Sequence, residues 1–380
     1  MNQRSYLDYN ATAPLREDVR QAVIAAMSLY GNPSSVHEEG RLARGAIEAA
    51  RSKVAALVGA RPEDVIFTSG GTEANGLALA AQGGDAWQCY LSASEHPSVL
   101  SGGRFYRETT TTIPVDRDGV IDLEILAKEL EKHHLGGWRP FVSVMAANNE
   151  TGTIQPVAET SKIVHEAGGL FHTDAVQAAG RIKLEMAMLG ADMLSLSAHK
   201  IGGPKGVGAL VLGDGASVEP LIKGGGQERR RRAGTENVAG IVGFGVAAEL
   251  AAADLANVGA IAELRDELEA RTLAMAPSAV VLSAAVQRLA NTSCIAVPGV
   301  KAETLVIGLD LAGVSVSSGA ACSSGKVEAS HVLRAMGVPE ELAQGAIRVS
   351  LGFATNRDDI ENFLKAFEEL IKRLRPKAAA

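Results

Sequence analysis

The stretch SLSAHKIGGPKGVG (Ser195–Gly208) puts a His–Lys pair, a proline, several glycines and a second lysine between two short apolar runs. Those runs are DMLSLS (Asp192–Ser197) and GVGALVL (Gly206–Leu212). Each has the length of a buried strand, and the polar residues fall where the first strand emerges. Upstream, LFHTDAVQ (Leu170–Gln177), FVSVMAANNE (Phe141–Glu150), WQCYLSAS (Trp87–Ser94) and DVIFTSG (Asp64–Gly70) read the same way: an apolar run, then polar residues or glycine. GTEANGLALAAQ (Gly71–Gln82) and VAETSKIVHEAG (Val157–Gly168) between them have helical spacing. Strands alternating with helices predict a parallel α/β sheet. In such sheets ligands gather at the carboxyl ends of the strands, where these polar residues lie.

An Ala/Glu/Leu-rich region from Ala239 to Ala274 reads as helix and could carry the chain from a large domain into a smaller one. The tail DDIENFLKAFEELIKRLR (Asp358–Arg375) has apolar residues at Ile360, Phe363, Leu364, Phe367, Leu370, Ile371 and Leu374, the stripe of an amphipathic helix. No internal repeat is visible.

The chain has 380 residues, 46% hydrophobic, with a net charge of −7, enough to bury a large core. The acidic balance argues against a direct nucleic-acid partner. No uncharged run is long and unbroken enough for a membrane span, and MNQRSYLDYN lacks the apolar segment of a signal peptide, so the expectation is a cytoplasmic protein. Three cysteines, Cys89, Cys294 and Cys322, make neither a disulfide framework nor a CxxC motif.

His37 begins no HExxH motif, GAACSSGKV has the wrong spacing for a phosphate-binding P-loop, and His133-His134 has no acidic or thiol partner at metal spacing, so no metal is expected. FTSGGTEAN (Phe67–Asn75) is more informative. A strand running through Ser-Gly-Gly-Thr into a helix offers free N–H groups, close backbone approach and the Thr72 hydroxyl to a phosphate. It also reads as a plain strand-to-helix turn with Thr72 as N-cap. HTDAVQ sets Asp174 and Gln177 at one strand end, and Lys200 follows at the next after one helix. A lysine to bond the aldehyde, an aspartate to keep the pyridine nitrogen protonated and a phosphate loop together suit pyridoxal 5'-phosphate. Lys200, beside Ser197 and His199, is the bonding lysine. Lys205, within GGPKG, reads as a turn lysine.

YLDYNATAP, GNPSSVHEEG, FTSGGTEAN, SEHPSV, NNETG, HTDAVQ, SLSAHKIGGPKGVG, GGGQERRRRAGTEN, SSGAACSSG and IRVSLG occur in this order from Tyr6 to Gly352. Together they resemble the cysteine desulfurases of the NifS/IscS type, which are fold-type I, class-V aminotransferase-like pyridoxal-phosphate enzymes. The resemblance implies an α/β fold: a large cofactor domain (15–255) with a mainly parallel sheet flanked by helices, plus a smaller α+β domain (1–14 and 256–380) carrying the reactive cysteine. It implies that Lys200 bonds the cofactor, Asp174 pairs with the ring nitrogen and Gln177 with the phenolic oxygen. His96 would stack on the ring and assist proton transfer. Gly71, Thr72, Ser197 and His199 would hold the phosphate, with Thr235 reaching over from a second subunit of a homodimer. Asn149 and Arg348, helped by Asn32, would hold the substrate carboxylate. Arg230–Arg232 reads as a solvated or partner-facing basic face.

Cys89 and Cys294 lie in apolar runs and read as buried hydrophobes. Cys322 lies in an uncharged stretch of small residues, Ser315–Gly325, where a thiol is expected to be exposed and free to travel. The implied activity converts L-cysteine to L-alanine, with a persulfide formed on Cys322 and passed to an acceptor such as an iron–sulfur scaffold protein. A selenocysteine lyase or an aminotransferase would share the lysine–aspartate set, the latter without needing Cys322. A non-enzymatic sulfur carrier would not need the cofactor.

Overall fold

The computed structural model describes residues 4–80, 87–101, 103–132, 137–318 and 330–374. Among them, β1 (Ser5–Tyr6) opens the chain, and the next strands build one large sheet. These are β2 (Val65–Thr68), β3 (Trp87–Ser92), β4 (Thr110–Ile113), β5 (Arg139–Ser143), β6 (Leu170–Asp174), β7 (Met193–Ser197) and β8 (Gly208–Leu212), in the order β2-β8-β7-β6-β5-β3-β4. β7 and β8 are buried at every position, as strands covered on both faces must be. Only β8 runs against its neighbours, pairing antiparallel with β7 and β2. Its short connection from β7 permits that reversal, whereas parallel neighbours need a crossover. Thr68, Ser92, Ser143, Asp174 and Ser197 therefore end on one edge of the sheet.

The connection from β6 to β7 differs from the expected single helix. It is a hydrogen-bonded turn after Asp174 followed by one short helix, Met186–Leu189. Beneath the site, His172 is fully buried. It bonds Ser143 Oγ at 2.8 Å and Ser195 Oγ at 2.9 Å on the neighbouring strands. Burial pushes its pKa down to about 3, so it is a neutral core histidine.

Helices cover the sheet. α1 (Glu17–Ala26) and α2 (Glu38–Leu57) pack with the helix Val238–Asp254. Gly245 permits the crossing, since a Cβ there would lie 2.6 Å from the Ala50 Cα. The helical stretch Val238–Met275 is long and apolar enough to cross a membrane by length and composition, but Ile241, Phe244, Ala247, Ala248 and Ala251 in its first half belong to the main core. α3 (Gly71–Ala80) starts at the end of the β2 turn.

A second, antiparallel sheet joins β9 (Val280–Val281), β10 (Thr292–Ala296), β12 (Ser317–Ser318) and β13 (Ala346–Ser350) in the order β12-β13-β10-β9, while β1 pairs with β11 (Val314–Ser315). The C-terminal helix, Arg357–Leu374, sets Ile360, Phe363, Leu364, Phe367 and Ile371 into this second core, as its stripe predicts.

The basic run is solvated only in part: Arg229 and Arg230 are exposed, whereas Arg231 and Arg232 are half-buried. Glu228, Arg229 and Arg230 occupy the left-handed region, with φ of 44°, 55° and 66°. Non-glycine residues persist there only when their surroundings over-determine them. Here the buried Glu228 carboxylate accepts from Arg51 Nη1 at 2.7 Å, from Arg51 Nη2 at 3.0 Å and from the Phe67 N–H on edge strand β2 at 3.0 Å. Arg229 and Arg231 both donate to the Glu63 carbonyl, and Arg232 pairs with Glu73 on α3 at 2.9 Å. Removing one partner of a buried pair strands the other charge. Glu228→Ala should therefore lower the unfolding free energy by about 3–5 kcal/mol in urea titrations, with Arg51→Met added in the same chain recovering part of the loss. A Glu228→Ala protein as stable as the parent would show that this pair does not hold the segment.

Candidate active site

The carboxyl edge of the large sheet opens into a cavity of about 440 Å³, closed on its far side by Ser317, Ser318 and Arg348 of the second sheet. Gly71, Thr72, Asp174, Gln177, Ser197, His199, Lys200, His96, Asn149 and Arg348 all line it. The two sheets thus bring together ten of the residues singled out from the sequence. Asn32 is exposed, accepts the Ser34 N–H and does not line the cavity. Thr235 is also exposed and outside the cavity of its own chain. Cys322 and the pair His133-His134 lie outside the described residues. Cys89 and Cys294 are fully buried, and burial raises both thiol pKa values.

At one end α3 begins at Gly71, so Thr72 lies in its first turn and is not its N-cap. The first-turn N–H groups of a helix have no intrahelical acceptor and favour an anion. A Cβ on Gly71 would lie 2.9 Å from Val176 Cγ2 and 3.4 Å from Ser197 Cβ, so a side chain there would fill the cradle. His199 bonds Thr12 Oγ1 at 3.2 Å. Burial, followed by the charges of Lys200 and Lys205, holds His199 down to about 4. Lys205 is exposed on the outer rim of this cradle.

In the middle, the buried Asp174 accepts from Val176 N–H at 2.9 Å and from Asn75 Nδ2 at 2.7 Å. Asn75 also donates to Ser98 Oγ at 2.9 Å, and Ser98 bonds His96 Nδ1 through its hydroxyl at 2.7 Å and its N–H at 3.1 Å. The Ser98 N–H can only donate, so Nδ1 accepts and the neutral ring carries its proton on Nε2. Burial lowers the His96 pKa, as do Lys200 and His331, against the pull of Asp174. Behind His96, the Glu95 carboxyl is fully buried, accepts the Met145 N–H at 2.5 Å and has its pKa raised well up by burial and by Asp174.

Lys200 Nζ donates to the carbonyls of Asn10 at 2.5 Å and Ala11 at 3.0 Å. No carboxylate among the described residues comes within ion-pair distance of it. Burial, then the Arg348 and Arg181 guanidiniums, push its pKa down to about 7 against the opposing pull of Asp174 and Asp8. Half of such amines are neutral near pH 7, which a nucleophile or base requires.

Arg348, on β13, donates to the Asn149 carbonyl at 2.9 Å and to Asp8 Oδ1 at 2.8 Å, while its Nε is buried with no acceptor. An inward arginine thus has its structural carboxylate and still faces the cavity. Glu150 is buried and accepts from Ser330 Oγ at 2.5 Å. Burial pushes its pKa up to about 7 against that hydrogen bond and Arg348. Ser330 is the first described residue after the segment holding Cys322.

Sequence reasoning missed Asp8, Asn10, Asn75, Glu95, Glu150 and Arg181. For Asn75 a signal existed: it stands three residues after Thr72 on the same helix, hence on the same face. Asp8 and Asn10 approach through long-range contacts that leave no local mark.

The donor set matches pyridoxal 5'-phosphate: an anion cradle, a central carboxylate for a ring nitrogen, and an amine depressed toward neutrality. The Arg348 guanidinium beyond it suits a ligand carboxylate.

The family model for aminotransferase class-V matches residues 5–363. A cysteine desulfurase IscS of Dictyoglomus turgidum is 44% identical over 99% of this chain and 96% of that protein. A cysteine desulfurase of Cereibacter sphaeroides is 46% identical over 98% of this chain and 97% of that protein. The X-ray structure of a NifS-like protein from Rickettsia africae superposes with a TM-score of 0.89 at 37% identity, covering 97% of this chain and all of that one. This chain therefore belongs to the class-V aminotransferase family and, within it, to the pyridoxal-phosphate-dependent cysteine desulfurases.

Proposed function

We propose that this cavity carries out the family's reaction, L-cysteine to L-alanine with the sulfur passing to an acceptor, with the residues in the following roles. The observation that carries the reading is the convergence of Lys200, Asp174 and the α3 cradle on one cavity. Lys200 bonds the cofactor aldehyde, Asp174 holds the ring nitrogen and Gln177 the phenolic oxygen. Gly71, Thr72, Ser197 and His199 take the phosphate. His96 lies against the ring. Bound pyridoxal phosphate supplies an electron sink for negative charge at the carbon carrying the substrate amine. Arg348 and Asn149, which both line the cavity, bind the substrate carboxylate. Neutral Lys200 takes the proton from the substrate Cα, and His96, with its proton on Nε2, serves as a nearby donor.

Cys322 receives the sulfur. Its thiolate bonds to the substrate sulfur, the carbon–sulfur bond breaks, and the electron pair stays with the carbon, which is protonated to give alanine. The balance is L-cysteine plus enzyme thiol to L-alanine plus enzyme persulfide, with no outside oxidant or reductant. The sulfur then passes to an acceptor protein, an iron–sulfur scaffold or similar.

The proposal includes two domains, 15–255 and 1–14 with 256–380. In support, one core draws on residues such as Val19, Val54 and Ala251, and the other on Leu7, Leu268 and Phe367. It also includes a homodimer in the cytoplasm, associated with neither membrane nor nucleic acid. Ile24, Met27, Tyr30 and Val36 expose a run of large apolar side chains around α1, suited to a second copy, and Thr235, exposed and outside the cavity of its own chain, would reach the cavity of that copy.

Cys322→Ala should keep the cofactor absorbance and lower alanine and sulfide formation by about 100-fold or more, with no persulfide detectable by mass spectrometry. Full turnover in that variant would favour an aminotransferase. Met27→Asp with Tyr30→Asp should sediment as a monomer and bind pyridoxal phosphate more weakly, and Thr235→Ala should reproduce the weaker binding in the dimer. A monomeric parent protein would overturn the role of Thr235.

A further inference from the structure

Arg181 lies just behind the cavity and has no carboxylate within ion-pair distance among the described residues. It closes the turn that follows β6, and Gly180 beside it (φ +71°) packs so closely on Ala251 that a Cβ would lie 2.7 Å from the Ala251 Cβ. The turn is therefore fixed against the helix Val238–Asp254. Arg181 Nη1 donates to the Gln177 carbonyl at 3.0 Å and to Gln177 Oε1 at 2.5 Å. A guanidinium has donors only, so the amide atom facing it must be oxygen. The Gln177 Nε2 must then face the other way, where it donates to the Asn10 carbonyl at 3.0 Å. That same carbonyl accepts from Lys200 Nζ at 2.5 Å. Arg181 and Lys200 also border a second cavity of about 110 Å³, in which the one acid, Asp254, is already paired with Arg16.

We propose that Arg181 is a positioning residue for the cofactor-bearing lysine: it locks the Gln177 amide with its N–H groups toward the cofactor pocket and sets an unpaired positive charge behind Lys200. This rests on the reading that Lys200 bonds the cofactor. The charged and titratable groups facing that amine are Asp174 on β6, Asp8 in the N-terminal segment, Arg348 on β13, His96 after β3, His199 beside it and Arg181 itself. Asp8 is bonded to Arg348, so the Arg348 charge is largely compensated at its source. The Arg181 charge has no such partner. It is one of the two cations holding the lysine amine below its ordinary range. Taking away a neighbouring positive charge makes a cationic amine easier to form, so its pKa rises.

The test is a spectrophotometric pH titration of the holoenzyme, together with pH-dependent acetylation of Lys200 in the cofactor-free full chain, followed by mass spectrometry. Arg181→Met should move both midpoints up by about one pH unit and weaken cofactor binding. Arg181→Lys, which keeps a charge and a donor, should return the midpoints most of the way. Arg181→Gln, which can still donate to Gln177 Oε1 without charge, should bind the cofactor like the parent and titrate like Arg181→Met. If Arg181→Met does not fold, the midpoint of Arg181→Gln decides. Midpoints unchanged from the parent in the uncharged variants, or no rescue by lysine, would overturn the proposal. Borohydride reduction of the cofactor-saturated parent keeps the two readings apart: a reduced cofactor found by mass spectrometry on a residue other than Lys200 refutes the role of Lys200, whatever Arg181 does.

Discussion

Asn10 commits its polar atoms to both sheets and to the cavity between them. Its N–H donates to Ser350 Oγ, and its side-chain nitrogen donates to the Asn149 carbonyl and Thr292 Oγ1. Its side-chain oxygen accepts from Asn291, and its carbonyl accepts from Gln177 and Lys200. Ser350 and Thr292 belong to the second sheet, while Asn149, Gln177 and Lys200 lie just beyond the carboxyl ends of three strands of the first. A buried amide with every group satisfied fixes a geometry more sharply than apolar contact does, because any displacement leaves a donor or acceptor unpaired. Asn10 thus ties the seam between the sheets, together with the Arg348–Asn149 and Ser330–Glu150 hydrogen bonds. The parallel bridge between Asp8 and Ser350 continues the same seam.

The electrostatics of the cavity follow from that seam. Lys200 is half-buried, and its nearest partners are carbonyls, which solvate an ammonium only partly. The two nearby carboxylates are otherwise engaged, Asp174 with Asn75 and the Val176 N–H, Asp8 with Arg348. The amine is left with more positive than negative charge to face. Burial and like charge act in the same direction on a lysine, and both favour its neutral form. Desolvation and the Lys200 charge lower the His96 pKa, and the Ser98 hydrogen bonds choose its tautomer. Protonation states at this site are thus consequences of which segments the seam brings together.

Much of this was legible in the sequence where the physics is local. Apolar runs ending in polar residues gave the strands and their carboxyl edge. The glycine pair at Gly70-Gly71 marked the helix start, and Lys200 stood out against Lys205 because it sits beside a strand end and not inside a glycine turn. What escaped notice depends on long-range contact. The basic run Arg229–Arg232 reads as a surface by composition, yet the left-handed turn folds Glu228 back onto Arg51 and lays Arg231 and Arg232 on Glu63 and Glu73. Arg181 looks like an ordinary turn cation until the amide it orients is traced to the lysine. The connection between β6 and β7 spans the length of a helix but spends it on the turn that carries Gln177 and Arg181.

The polar atoms left without partners also point to the site. Among the buried side-chain atoms with no hydrogen bond, Asn75 Oδ1, Glu95 Oε2 and Arg348 Nε belong to residues in or directly behind the cavity. A buried donor or acceptor without a partner costs about 1–3 kcal/mol, and three of the seven such atoms among the described residues are in or behind the cavity, the others belonging to Thr173, Glu236, Thr272 and Ser293. Sequences that otherwise agree at every level depart from that agreement where a ligand is to be bound. Arg348 shows the logic most directly. Two of its nitrogens are held by Asp8 and the Asn149 carbonyl, so the guanidinium cannot turn away from the cavity it lines.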